Sequence, residues 1–225
     1  RSITGYQTMV KYSAVVVSNN EDRADHTIFH LLDNSIHMKE VVLIWDGDLI
    51  PEHLGKRMAE LSQTSDLPVS IFTNWRKSDV YGMFNLGVEK SEQEFVLLIN
   101  DDMYVPENWD EKLEFITSIK SAQEKMIVTF QVVEPGYVDV NEKNIKRDYG
   151  MSWNSFKRNY FEKFVSEQNV EIKCNQLINK GTSLGWYMPV IFNKKLFIEN
   201  GMYPTNPPFP YPNDIILFNK LSADK

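Results

Sequence analysis

The residue types most able to do chemistry in this chain fall in four short polar clusters, each placed directly after an apolar run. The sharpest is Asn100-Asp101-Asp102, which follows FVLLI (Phe95 to Ile99) and precedes Pro106. Adjacent carboxylates at the end of a buried strand offer hard oxygen ligands to a divalent cation such as Mn²⁺ or Mg²⁺. Two carboxylates alone make a weak cage, and a diphosphate would complete the coordination shell. The plainer alternative is a solvated turn that caps the helix after it. The other clusters are Ser18 with Asn19, Asn20, Glu21 and Asp22; Asp46 with Gly47 and Asp48; and Asn74 with Arg76 and Lys77. Turns are polar anyway, so no single cluster is decisive. All of them on one rim would mark a site.

The apolar runs must be strands for that rim to exist. SAVVVS (Ser13 to Ser18), VVLIW (Val41 to Trp45), VSIFT (Val69 to Thr73) and FVLLI are short, β-branched and flanked by turn residues. Between them lie stretches with helical spacing: Ile28, Leu31 and Leu32; Leu54, Met58 and Leu61 after Pro51; and Val80 to Lys90. A further helix is expected from Pro106 to Ile119, with Trp109, Leu113 and Ile116 on one face. The alternation predicts an α/β fold with a mixed, mostly parallel sheet and helices on both faces. In such sheets ligands sit beyond the carboxyl ends of the strands, where the polar clusters fall.

The second half is less regular. Met126 to Val133 reads as a strand, and residues 134 to 183 show no sustained period. Within them WNSFKRNYFEKF (Trp153 to Phe164) suits a helix that packs Phe156, Tyr160 and Phe164 inward. Trp186 to Phe192 reads as a strand that Pro189 would confine to an edge or a bulge. A short helix, Leu196 to Asn200, ends at Gly201; a loop with five prolines between positions 204 and 212 follows, then Asp214 and a last helix, Ile215 to Leu221.

Composition narrows the function. The 225 residues are 42% hydrophobic and 12% aromatic, enough for a full core. The net charge of −7 argues against non-specific nucleic-acid binding, which runs on neutralising phosphates. No apolar run approaches the 18 or so residues of a membrane helix. With one cysteine, Cys174, no internal disulfide or thiolate zinc site can form, and no Asn-x-Ser/Thr sequon is present; both fit a cytoplasmic protein. His26 and His30 stand at i, i+4 spacing, but without an HExxH pattern they read as ordinary helix histidines.

FVLLINDDMYVPENWDEKL resembles the segment around the Asp-x-Asp motif of nucleotide-sugar glycosyltransferases of the GT-A fold, family 2 above all. NLGVEKSEQEF resembles the Asn-x-Gly helix before that strand; YSAVVVSNNEDR and VVLIWDGD resemble the first two strands with their nucleotide-facing ends. IFNKKLFIENGMY followed by YPNDIILFNKL is similar to the later block, where a turn leads to an acid that opens a helix. The resemblance spans most of residues 13 to 221, with 134 to 183 unmatched.

It implies a GT-A-like, Rossmann-like fold in one domain over residues 1–225, about 1–105 for the nucleotide sugar and about 106–225 for the acceptor. It further implies Asp102 as metal ligand, Asp101 near the metal or ribose, Asp46 on the base, Ser18 and Asn20 lining the nucleotide pocket, and Asp214 as catalytic acid of the late motif. The pattern departs from the family at Asn100, where an acid is usual, at Asn213, where Glu is usual, and at Phe84, often Arg. Arg76 or Lys77 is then expected to meet the nucleotide instead. Trp153, Trp186 and Tyr187 are candidate platforms for an acceptor sugar, though aromatic rings more commonly pack in cores. Family members often continue past the late motif, so one domain of a longer protein is expected.

The activity implied is metal-dependent transfer of a sugar from a nucleotide-diphosphate donor, expected to be UDP-linked, to a hydroxyl of a carbohydrate or glycoconjugate. Inversion with Asp214 as general base is the expected course; Asp214 also suits a plain N-cap. A sugar-phosphate nucleotidyltransferase would use a similar sheet, but usually carries a Gly-rich basic loop where this chain has NNEDR. A non-catalytic carbohydrate-binding or scaffold domain would explain Asn100 and Asn213 as losses.

Overall fold

The computed structural model describes residues 10–113, 127–135, 144–168, 188–205 and 217. Its first part alternates as the sequence predicts: β1 (Tyr12–Ser18), α1 (Glu21–Asn34), β2 (Met38–Trp45), α2 (Glu52–Ser65), β3 (Val69–Thr73), α3 (Val80–Lys90) and β4 (Phe95–Asn100). Then come β5 (Ile127–Thr129), β6 (Val132–Glu134), β7 (Asn144–Lys146), a 3-10 turn at Trp153–Ser155, α4 (Arg158–Ser166), β8 (Val190–Asn193) and α5 (Lys194–Glu199). Six strands form one sheet in the order β3-β2-β1-β4-β8-β5, and β6 and β7 pair separately. β1 to β4 run parallel, and β8 lies antiparallel between β4 and β5.

β1 is central, and every one of its residues is buried. Its side chains alternate between two cores: Tyr12, Ala14 and Val16 face Ile28 and Leu31 of α1 and Leu54 and Met58 of α2. Val15 and Val17 face Phe84, Leu86 and Val88 of α3 and Phe197 of α5. Each large aliphatic side chain so buried contributes about 1.5–3 kcal/mol. α3 lies close on β1 at Gly87, where a Cβ would stand 2.1 Å from Val15 Cγ1, so the Asn-x-Gly helix needs glycine there.

Several expectations are corrected. The stretch after Pro106 does not begin as a helix: Asn108 has φ 56°, turns follow, and helix is first reached at Leu113, beyond which the expected helix lies outside the described residues. The strand expected from Met126 to Val133 is two strands in different sheets, broken at Phe130 and Gln131. Helix α4 starts at Arg158 rather than Trp153, so the inward set shifts: Tyr160 is 71% exposed, while Phe161 packs on Phe156 and Tyr104. β8 starts after Pro189 and is an interior strand, so the proline precedes the ladder instead of marking an edge.

Asp110, fully buried, ties the turn after β4 to the rest of the sheet. It accepts hydrogen bonds from the Tyr12 hydroxyl at 2.9 Å and from the backbone N–H groups of Ile36 and His37, each at 2.9 Å. Burial, and then the negative charge of Asp110, hold the Tyr12 hydroxyl well above its ordinary pKa. Asp110→Ala would strand three donors, each bonded to a carboxylate, so a loss of about 3 kcal/mol or more is expected in urea denaturation. A change below about 1 kcal/mol would show that water replaces the carboxylate without cost.

Candidate functional site

The polar clusters lie along the carboxyl ends of β3, β2, β1 and β4, and hydrogen bonds join them in that order. Asn74, buried after β3, donates Nδ2 to Asp46 Oδ1 at 2.9 Å. The Asp46 N–H donates to the Ser18 carbonyl at 2.8 Å. Ser18 Oγ donates to Asp101 Oδ2 at 2.5 Å and accepts from the Asn20 N–H at 3.0 Å. Asn20 also caps α1, accepting from the Arg23 N–H at 3.1 Å, so the loop that faces the rim is fixed to the helix start. Asn19, Asn20, Glu21, Asp22, Trp45 and His53 line an open cleft of about 360 Å³ beside this line.

Asp101 is half-buried and Asp102 exposed. Burial raises the Asp101 carboxyl above its ordinary value, and the charge of Asp102 adds to this, against the Ser18 hydrogen bond and Arg23. Glu134, at the end of β6, is raised by burial and by the same Asp102 charge. The site therefore holds carboxylates that gain from a nearby cation, and their hard oxygens fit Mg²⁺ or Mn²⁺. Among the described residues no group of three or more His, Cys, Asp or Glu side chains forms a metal cage, so a cation would need oxygens from a ligand.

Other expected residues fall differently. Arg76 turns away from the rim, with two hydrogen bonds of 3.1 and 2.8 Å to Glu89 in the last turn of α3. Lys77 stays by the rim, 3.5 Å from Asp48 across the neighbouring loop. Asn100 ends β4, half-buried. Trp153 is packed: its ring stacks on His26 at 5.0 Å and on His30 at 5.6 Å. Trp186, Tyr187, Cys174 and Asp214 lie outside the described residues. Helix residue Leu217, three positions after Asp214, is buried in the core beside α3.

Sequence reasoning missed the contributions of Trp45 and His53 to the cleft, where His53 pairs with Glu21. It also missed that Asn85 both donates to the Tyr203 carbonyl at 2.8 Å and accepts from its N–H at 3.0 Å. That pair anchors the turn at Gly201 to α3, and the Asn-x-Gly spacing was its only signal. Tyr104, just past the acidic turn, donates to Glu162 of α4, and burial followed by Glu162 pushes its hydroxyl up to about 12.

His30 sits between Trp153 and Tyr104 with Nδ1 buried and, among the described residues, without a hydrogen-bond partner. Burial, then Arg158 and His26, lower its pKa from 6.5 to about 4, against the opposing charges of Asp33 and Asp25. The folded imidazole stays neutral down to about pH 4, whereas the unfolded one protonates below about 6.5. Stability from this group is thus complete above 6.5 and lost as pH falls toward 4. His30→Gln should flatten that part of the stability curve in urea titrations; an unchanged slope would assign it to other groups.

Comparison with known proteins settles the family. The Glycosyl transferase family 2 model matches residues 13–178, well over half of the chain. The chain belongs to glycosyl transferase family 2. No curated protein sequence matches it significantly. Among solved structures, S. aureus TarS 1-349 superposes with a TM-score of 0.62 at 14% identity, over 95% of this chain and 55% of that one. GalNAc-T7 with UDP, GalNAc and Mn²⁺ superposes with a TM-score of 0.64 at 16% identity, over 95% of this chain and 41% of that one. TarS 1-349 has also been solved with UDP-GlcNAc. The family 2 domain thus has the GT-A architecture, and the chain spans about half the length of the TarS 1-349 structure. Among the described residues no helix is long and apolar enough to cross a membrane.

Proposed function

We propose that this family 2 domain transfers a sugar from a nucleotide-diphosphate donor, UDP-linked, to a hydroxyl of a carbohydrate or glycoconjugate. The carrying observation is the hydrogen-bonded line Asn74–Asp46–Ser18–Asp101 along the strand ends, beside an open cleft. The UDP-containing structures of TarS and GalNAc-T7 support the choice of nucleotide.

In this reading the nucleoside occupies the cleft, with Asn20 along its wall and Ser18 buried beside it, holding the Asn20 N–H and Asp101. Asp46, whose Oδ1 is oriented by Asn74, accepts from a base N–H. Asp102 and Asp101 hold a divalent cation, Mn²⁺ or Mg²⁺, which when bound neutralises charge on the diphosphate leaving group. Asp101 keeps its orientation through the Ser18 hydroxyl. Asp214 takes the proton of the acceptor hydroxyl as it attacks the anomeric carbon, with inversion. Residues up to about 105 serve the donor and those after it the acceptor, with Trp186 and Tyr187 as sugar platforms. Trp153, already stacked on two histidines, is better suited to shaping that half than to holding a sugar. Lys77 is the better placed of the two basic candidates, since Arg76 is engaged by Glu89.

Asp46→Ala should weaken UDP binding about 10- to 100-fold, the effect of losing one hydrogen bond to a charged group. Unchanged affinity in calorimetry would remove Asp46 from the site. The activity itself is tested by UDP release from UDP-sugars with Mn²⁺ and with EDTA. Release that needs the cation supports an enzyme; none with any UDP-, GDP- or CDP-sugar would favour a non-catalytic domain.

A further inference from the structure

The segment Asp101–Val105 carries both carboxylates yet is neither helix nor strand. Its backbone carbonyls must find partners elsewhere. They find them on α1. Thr27 is fully buried, and its Oγ1 lies 2.6 Å from the Asp101 carbonyl and 3.3 Å from that of Met103, the residues before and after Asp102. Asn34, also buried, donates Nδ2 to the Val105 carbonyl at 2.7 Å, and its own carbonyl accepts from the Asn108 N–H at 2.9 Å. Seven residues are about two helical turns, so Thr27 and Asn34 leave α1 on the same face. Ala24, Ile28 and Leu31 on that face pack into the core, and His30 is buried at its edge.

A hydroxyl and an amide inside an apolar stripe are costly unless they are hydrogen-bonded. Valine would fill the space of Thr27 without that cost. What threonine adds is a hold on the Asp101–Asp102 and Met103–Tyr104 peptide groups, which bracket Asp102. We propose that Thr27 is a positioning residue that fixes the Asp101–Met103 backbone, and through it the Asp102 carboxylate, with Asn34 fixing the far end of the segment. The consequence for donor binding rests on the reading that Asp101 and Asp102 face the cation and diphosphate.

Thr27→Val keeps the shape and removes the hydroxyl, and Thr27→Ser keeps the hydroxyl. Amide exchange of the ligand-free protein should quicken about tenfold or more across residues 100–105 in Thr27→Val, stay unchanged in β2, and return to the original rate in Thr27→Ser. UDP with Mn²⁺ should bind about tenfold more weakly to Thr27→Val, while uridine without metal binds as before and Thr27→Ser restores the affinity. If Thr27→Val does not fold, Thr27→Ala against Thr27→Ser makes the same comparison. Local exchange unchanged in Thr27→Val, a rise spread evenly over the whole sheet, or a defect that serine does not repair would each overturn the proposal. If the unaltered protein binds UDP equally with Mn²⁺ and with EDTA, the reading of the carboxylates fails, and the exchange rates alone decide whether Thr27 holds the segment.

Discussion

Asp102→Asn is expected to lower sugar transfer by about 10²–10³-fold, comparable to losing one preorganised group at a developing charge. The side chain is exposed and close to Asp101 and Glu134, whose carboxyls its charge helps to raise. Removing that charge should leave the fold within about 0.5 kcal/mol of its original stability, as for other surface changes. What should disappear is the dependence of UDP binding on Mn²⁺, because a neutral amide is a poor ligand for a hard cation. The pairing of a stable fold with lost cation dependence separates a ligand role from a turn-capping role. A cap would tolerate asparagine with no loss of transfer. Full activity with unchanged cation dependence in Asp102→Asn would therefore remove this carboxylate from the metal site.

Asp214→Asn should lower transfer on the order of 10²–10⁴-fold, the usual contribution of a positioned general base. Donor binding should stay close to its original strength, since in the proposed scheme the base meets the acceptor. Asparagine caps a helix about as well as aspartate, so stability should also hold. A residue that only caps would behave in reverse, with little loss in Asp214→Asn and lower stability in Asp214→Ala. Near-native turnover of Asp214→Asn, with chemistry shown to limit the rate, would contradict the base assignment.

The parallel half of the fold was legible because its signals are local. Each of β1 to β4 holds a short apolar run rich in β-branched or aromatic residues, with β2 starting three residues before its run, at Met38, and Val69–Thr73 and Val80–Lys90 appear with the expected bounds. The rim followed from topology, since parallel strands carry all their carboxyl ends to one edge. Ser18, Asp46, Asn74 and Asp101 were readable for that reason. The partners that orient them were not. Thr27 and Asn34 look like ordinary helix residues until a segment more than 65 positions away supplies the carbonyls they meet. Asp110 sits among turn residues in the sequence and only in three dimensions becomes a buried acceptor for Tyr12, Ile36 and His37. Arg76 looked available for a phosphate, but a carboxylate 13 residues on claims its guanidinium. Past β4, tertiary contacts override local preference: Asn108 in the left-handed region delays the helix expected from Pro106, and Phe161 replaces Tyr160 in the aromatic cluster.

The most direct test of a nucleotide-sugar site on this rim is a crystal structure of the protein soaked with UDP and Mn²⁺. The expected density places the uracil in the cleft between Asn20 and His53 with a base N–H toward Asp46. It places the diphosphate and cation at Asp101 and Asp102. UDP bound elsewhere on the domain, or a cleft left empty at millimolar UDP and Mn²⁺ in crystals that leave the rim open to solvent, would contradict it.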